Sequence, residues 1–287
     1  SFATQAYPKI TVTTRATGRT LKRNIESARP ASSANLTSYT TSWDATSSKY
    51  FETVCCAGVG RDRSWRRQYP VPFRILSDTQ KFKRWNWIHY NFTKSKDDPR
   101  IESQKVVPES LEVTGTVKSN ERATFLAPLI RASFSEADSR RESLTLIRPR
   151  KFALEAFEKT HEEIAQEKIK HGELANQLSM FDTTAKPLIP CPMRFVAKWQ
   201  DQDGKHRTHE CDDWETTAAF GRFERLYGRA EALNVLRRKY EDEYMAAGLV
   251  LGFSTHKRRN AEFGTQNQWL LVGVIRLNEV KQAALDF

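Results

Sequence analysis

Asp212, Asp213 and Glu215 stand almost side by side in this chain, with only Trp214 interposed. Carboxylates grouped in this way, with His256 and Lys257 further on, are the residue types that hold a divalent ion and polarise a phosphodiester. A second role fits the same residues. Asp212–Asp213 before Trp214 caps a helix N-terminus, and Glu215 adds charge that a first turn favours. A nuclease of the acidic-pair-plus-lysine type places an Asp and a Glu-x-Lys on adjacent strands, and that pattern is missing. The run therefore reads as a cap, with a metal-dependent nuclease as the alternative.

A second constellation is basic and aromatic. Arg61, Arg63, Arg66, Arg67, Arg74, Lys81, Lys83 and Arg84 crowd one stretch, with Trp65, Tyr69, Trp85, Trp87 and Tyr90 among them. On a barrel wall, cations track phosphates and exposed rings stack on unpaired bases. Strand alternation puts Lys83, Trp85, Trp87 and His89 on one face, and Phe82, Arg84, Ile88, Tyr90 and Phe92, with Asn86, on the other. The second set is the more apolar and is expected in the core. Arg66, Arg67, Arg74, Lys83, Trp85 and Trp87 are thus the expected nucleic-acid-binding residues of this tract. The competing expectation is that both tryptophans pack. The loop residues Lys257, Arg258 and Arg259 add a further phosphate-contacting candidate beside the alternative of a solvated basic turn.

Residues Gln177–Leu178–Ser179–Met180–Phe181 place a polar anchor before an apolar trio. The string resembles the short peptide by which bacterial DNA-processing proteins dock on the replication sliding clamp. That resemblance implies partner binding through Gln177, Leu178, Met180 and Phe181. The alternative is that the apolar residues dock the linker onto a domain. Cys191, His206, His209 and Cys211 lack a C-x-x-C knuckle, so no metal is expected there. Cys55 and Cys56, in VCCAGV, read as reduced thiols facing apart along a strand. No P-loop, dinucleotide fingerprint, nucleophile elbow or H-E-x-x-H occurs, and no cofactor is expected.

The elements that must carry these residues are legible in part. Residues 1–46 are Ser/Thr-rich, basic and nearly free of acid, and read as an exposed arm. This stretch also resembles an organellar transit peptide. Residues 47–150 are β-rich, with strands expected at Tyr50–Val59, Trp65–Tyr69, Phe82–Phe92 and Leu111–Val117, and with Pro70 and Pro72 breaking a ladder. Short strands with turn signals predict a small OB-like β-barrel that binds nucleic acid. Residues 151–190 are a helix, Lys151–Ala175, and a linker bearing the QLSMF peptide. Residues 191–287 are a second α+β domain. It has a hairpin around Asp201–Gly204, helices Trp214–Tyr227 and Arg229–Ala247 split at Gly228, and strands Leu249–Phe253 and Trp269–Leu277.

The chain has 287 residues, 39% hydrophobic and 11% aromatic, enough for two packed domains of an α+β protein. Its 46 basic against 35 acidic side chains leave a net charge of +11, which favours a polyanionic partner. No apolar run approaches the roughly 20 residues of a membrane helix, so a cytoplasmic protein without membrane contact is expected.

The stretch YFETVCCAGV…SWRRQYPVPFRIL…QKFKRWNWI…DPRIES, with Asp212–Glu215 and Gly252–Leu277, resembles an uncharacterised bacterial and archaeal family. That family carries an ETVC-x-AG…W-x-R-x-YP-x-PFR barrel and a DWE C-terminal domain. A weaker resemblance is to OB-type modules of defence and DNA-repair proteins. These resemblances imply a genome-maintenance setting. The expected function is a non-catalytic DNA-binding adaptor or sensor in repair, mobile-element or anti-phage machinery, recruited to the sliding clamp. Whether its DNA is single- or double-stranded stays open. The alternatives are a nuclease using Asp212, Asp213 and Glu215, and a protein–protein scaffold subunit of a larger complex.

Overall fold

A computed structural model describes residues 11–12, 34–36, 54–96, 98–179, 188–255 and 269–278. His256, Lys257, Arg258 and Arg259 lie outside the described residues, as do Met180, Phe181 and most of the 1–46 arm.

The leading part is a curled, mostly antiparallel sheet. Its strands are β1 (Thr11–Val12), β2 (Ala34–Leu36), β3 (Val54–Val59), β4 (Trp65–Val71), β5 (Asn86–Lys94) and β6 (Ser103–Thr116). β3 and β4 form a hairpin in which Arg63 takes a positive φ of 57°. β4 lies parallel to β6, and β6 pairs antiparallel with β5. β2 pairs with β3, while Thr11 of β1 meets Asn35 and Asn86.

Two expectations fail here for local reasons. Pro70 does not stop β4, which continues to a pairing of Val71 with Val54. The strand expected over Phe82–Phe92 begins only at Asn86, because Trp85 turns the chain at a φ of 72°. Alternation therefore counts from Asn86. Phe82, Ile88 and Tyr90 are buried as expected, but so is Trp85 at the turn.

Next come α1 (Arg122–Leu126), flanked by 3₁₀ turns Ser119–Glu121 and Ala127–Leu129, then β7 (Ile130–Arg131), α2 (Phe134–Ser139) and β8 (Leu144–Ile147). The helix expected over Lys151–Ala175 is instead β9 (Lys151–Glu158) followed by α3 (His161–Ser179). Phe152 and Leu154 are buried at a spacing of two, and an unbroken ladder to β10 (Met193–Gln200) rewards the extended form. Thr160 and Glu163 then form a reciprocal capping box. The Glu163 amide donates to Thr160 Oγ1 at 3.1 Å, and the Thr160 amide donates to Glu163 Oε2 at 2.7 Å.

The remaining elements are β11 (His206–Glu210), α4 (Trp214–Tyr227), α5 (Arg229–Arg237), a π-helical segment Arg238–Tyr244, β12 (Leu249–Thr255) and β13 (Trp269–Arg276). Gly228 separates α4 from α5 at a φ of 79°, a conformation that suits glycine. These strands build two sheets of order β11-β10-β9 and β13-β12-β8-β7. A boundary at residue 190 would therefore cut β8 and β9 from their ladder partners β12 and β10.

The molecule is an α+β protein rich in strands. One core fills the leading sheet around Cys56, Phe82, Ile88 and Tyr90. A second lies among the later sheets and helices around Phe134, Trp199, Phe220 and Phe253. A third joins them, packing Trp85, Val117 and Leu126 against Leu144, Leu146, Val250 and Ile275. Among the described residues no helix is long and apolar enough to cross a membrane.

Candidate functional site

The β3–β4 turn, β5 and the α1 segment converge on an open cleft of about 420 Å³. Arg61, Arg63, Trp87, Asn120, Glu121, Thr124 and Phe125 line it. Trp87 reaches it because β5 turns every second side chain away from the core that Ile88 and Tyr90 occupy. The Trp87 and Phe125 rings meet edge to face, with centroids 5.7 Å apart and planes at 77°. The Arg61 guanidinium lies 4.1 Å over Trp87, and that of Arg63 lies 5.8 Å over Phe125. Arg63 Nη1 also donates to the Thr124 carbonyl at 3.1 Å. The cleft thus pairs two exposed cations with two half-buried rings, and Asn120 and Glu121 add polar groups.

The expected residues of the basic tract separate into different roles. Trp87 is in the cleft. Lys83 is exposed and Arg74 half-buried, and neither lines it. Trp85 is a correction: it is 5% exposed, packed in the joining core, with the Arg122 guanidinium 4.8 Å over its ring. Arg67 is a second correction. It is buried, donating to Ser254 Oγ at 2.9 Å and to the Ser143 carbonyl at 3.1 Å, beside Glu102. Arg66 is half-buried and donates to Asp62 Oδ2 at 2.6 Å. Sequence reasoning missed Phe125, Asn120, Glu121 and Thr124. They sit on turns and a single short helix, too brief to leave a period in the sequence.

The acidic run is built into the interior. Asp213 caps α4, accepting from the Glu215 amide at 3.1 Å, and also accepts from Thr216 Oγ1 at 3.3 Å and from the Val274 amide at 3.1 Å. Arg84 reaches it from the leading sheet. Its side chain is 8% exposed, lies 3.9 Å from Asp213, pairs closely with Glu215, and donates to the Val274 carbonyl at 2.9 Å. Burial raises the Asp213 carboxyl above its ordinary value, against the pull of Arg84 and the hydrogen bonds. Burial likewise opposes the charge on Arg84, but Glu215 and Asp213 outweigh it. The expected cap is present, and the Asp213 lone pairs are engaged by protein donors. Among the described residues no group of three His, Cys, Asp or Glu is placed to hold a metal.

His209 accepts from Trp199 Nε1 at 3.1 Å, and Cys211 lies against Thr216 at 3.7 Å. Each therefore has an internal role, apart from the other two members of the Cys191, His206, His209 and Cys211 set. Gln177 and Leu178 belong to the last turn of α3, so the helix runs further toward the QLSMF peptide than its linker reading expects.

Together these features define a two-segment α+β protein in which arginines of a leading sheet are seated in a following domain, leaving a basic–aromatic cleft at the sheet's turn. The chain belongs to the family described as "Domain of unknown function (DUF8757)", whose model matches residues 129–286. Residues 39–132 match a further model, "Domain of unknown function (DUF8758)". No curated protein and no solved structure matches the chain significantly.

Proposed function

We propose that this protein is a non-catalytic nucleic-acid-binding adaptor or sensor, and that it binds DNA at the Arg61–Arg63–Trp87–Phe125 cleft. The observation that carries the reading is the pair of exposed guanidiniums held over two aromatic rings in one cleft. Cations of this kind attract phosphates and rings offer stacking surfaces. The strand order, with β1 pairing with β2 on one side and with β5 on the other, supports an OB-like barrel as the platform. The net charge of +11 supports a polyanionic partner. The exposed Lys83 extends the basic surface in this reading, and Lys257, Arg258 and Arg259 are further phosphate-contacting candidates from the sequence alone. The Gln177–Phe181 peptide would tether the protein to a sliding clamp, in a repair, mobile-element or anti-phage setting.

The nuclease alternative using Asp212, Asp213 and Glu215 is disfavoured by the engagement of Asp213 with Arg84, Thr216 and Val274. The test is salt-titrated binding of labelled oligonucleotides. Wild type should lose affinity steeply as salt rises. Arg61→Glu with Arg63→Glu should flatten the log–log slope by about 0.7–0.9 per lost phosphate contact. Salt-independent binding, or none, would leave the scaffold reading in its place.

A further inference from the structure

We infer that the cleft takes an unpaired base, so that its ligand is single-stranded nucleic acid; this rests on the nucleic-acid reading above and narrows it. Trp87 and Phe125 meet at 77°, so the ring of one can back a flat group while the edge of the other abuts it. The Arg61 guanidinium lies over one face of Trp87, 4.1 Å from the ring centroid. Arg61 is an exposed side chain on a turn. A guanidinium is itself flat and stacks as a base does. Arg61 therefore occupies the position that a base would take. An incoming base displaces it from the Trp87 face, and the freed cation lies beside the phosphate that follows.

The volume agrees with one nucleotide. About 420 Å³ falls in the range of roughly 300–1,000 Å³ for small-ligand clefts. The polar lining agrees with a base edge. Asn120 offers both a donor and acceptors, and Glu121 accepts from an exocyclic amino group. A carboxylate is a poor neighbour for phosphate, so Glu121 belongs to the base end of the cleft and Arg61 and Arg63 to the phosphate end. A base in a duplex is stacked and paired, and cannot enter such a cleft without first being extruded.

The experiment compares three labelled ligands of about 12 nucleotides on the intact chain: a single strand, the same sequence as duplex, and a strand of abasic residues with the same phosphates. Wild type should prefer the base-bearing single strand by roughly tenfold or more over both others, the scale of a base–aromatic stack. Trp87→Leu should lose that preference, while a thermal melt reports whether the variant is folded. The abasic comparison needs no variant, so the inference stays testable if Trp87→Leu fails to fold. Equal affinity for all three ligands, still weakened by Arg61→Glu with Arg63→Glu, would overturn base insertion and leave the phosphate reading standing. Absence of binding to every ligand would overturn both.

Discussion

Arg84 and Asp213 grip the backbone of the same residue, Val274, from opposite halves of the chain. The Val274 carbonyl accepts from Arg84 Nη1 at 2.9 Å, and the Val274 amide donates to Asp213 Oδ2 at 3.1 Å. Val274 lies on β13, which stands at the end of its sheet beside β12 among the described residues. Two charged side chains thus satisfy backbone groups on an edge where a neighbouring strand would otherwise do so. They also bring opposite charges together where both are buried.

Removing one partner of such a buried set strands the other. Arg84→Met should destabilise the protein by about 3–5 kcal/mol. Adding Asp213→Asn, which keeps a helix-capping side chain, should recover part of that loss. Urea unfolding of wild type, single and double variants measures both. An Arg84→Met midpoint equal to wild type would show that the ion pair is dispensable.

The protein should lose stability as pH falls from about 6.5 to about 4, through His209. Burial, with the nearby Arg207 charge, lowers this imidazole to about 4. The protonated ring cannot accept the hydrogen bond from Trp199 Nε1. The folded value lies below the unfolded one, so the neutral form is favoured in the fold and the stabilisation is complete above about 6.5. It amounts to about 3 kcal/mol from the distance between the two values. His209→Gln should be less stable at neutral pH but lose less on acidification, as denaturant midpoints across that range would record.

Phe134 is the centre of an aromatic cluster. Its ring stacks on Trp269 at 5.4 Å with planes at 10°, and meets Phe253 and Trp199 edge-on at 4.8 and 5.7 Å. Phe134→Ala should cost about 3–5 kcal/mol through the cavity left among those rings. Phe134→Leu should cost less. Near-ultraviolet circular dichroism would follow the loss of ordered tryptophan packing.

Gln177→Ala with Phe181→Ala should abolish co-elution with a sliding clamp on gel filtration while leaving the thermal melt unchanged. Persistent co-elution would remove the peptide from consideration.

Much of the second half was legible in the sequence. The Asp201–Gly204 turn, the Asp213 cap and the split at Gly228 each have local chemistry that decides the backbone, and the elements follow it. β9 was not legible. Its spacing of apolar residues suits a helix as well as a strand, and only the distant partner β10 selects between them. The cleft was half legible for a similar reason. Composition located Arg61, Arg63 and Trp87, but Trp85, a non-glycine residue at positive φ, turns out of the strand and is buried instead of sharing their face. Composition also could not separate arginines that line the cleft from arginines that bolt one half of the molecule to the other. Arg67, Arg84 and Arg100 all cross to backbone or hydroxyl groups far along the chain.

The two family matches meet at residues 129–132, yet the joining core runs across that seam, with Trp85 and Leu126 on one side and Leu146 and Ile275 on the other. Swapping homologous halves at the seam would therefore set mismatched shapes against each other. A viable chimera needs the residues around Arg84 and Val274 inherited as a set, so recombination within this lineage should keep the halves together.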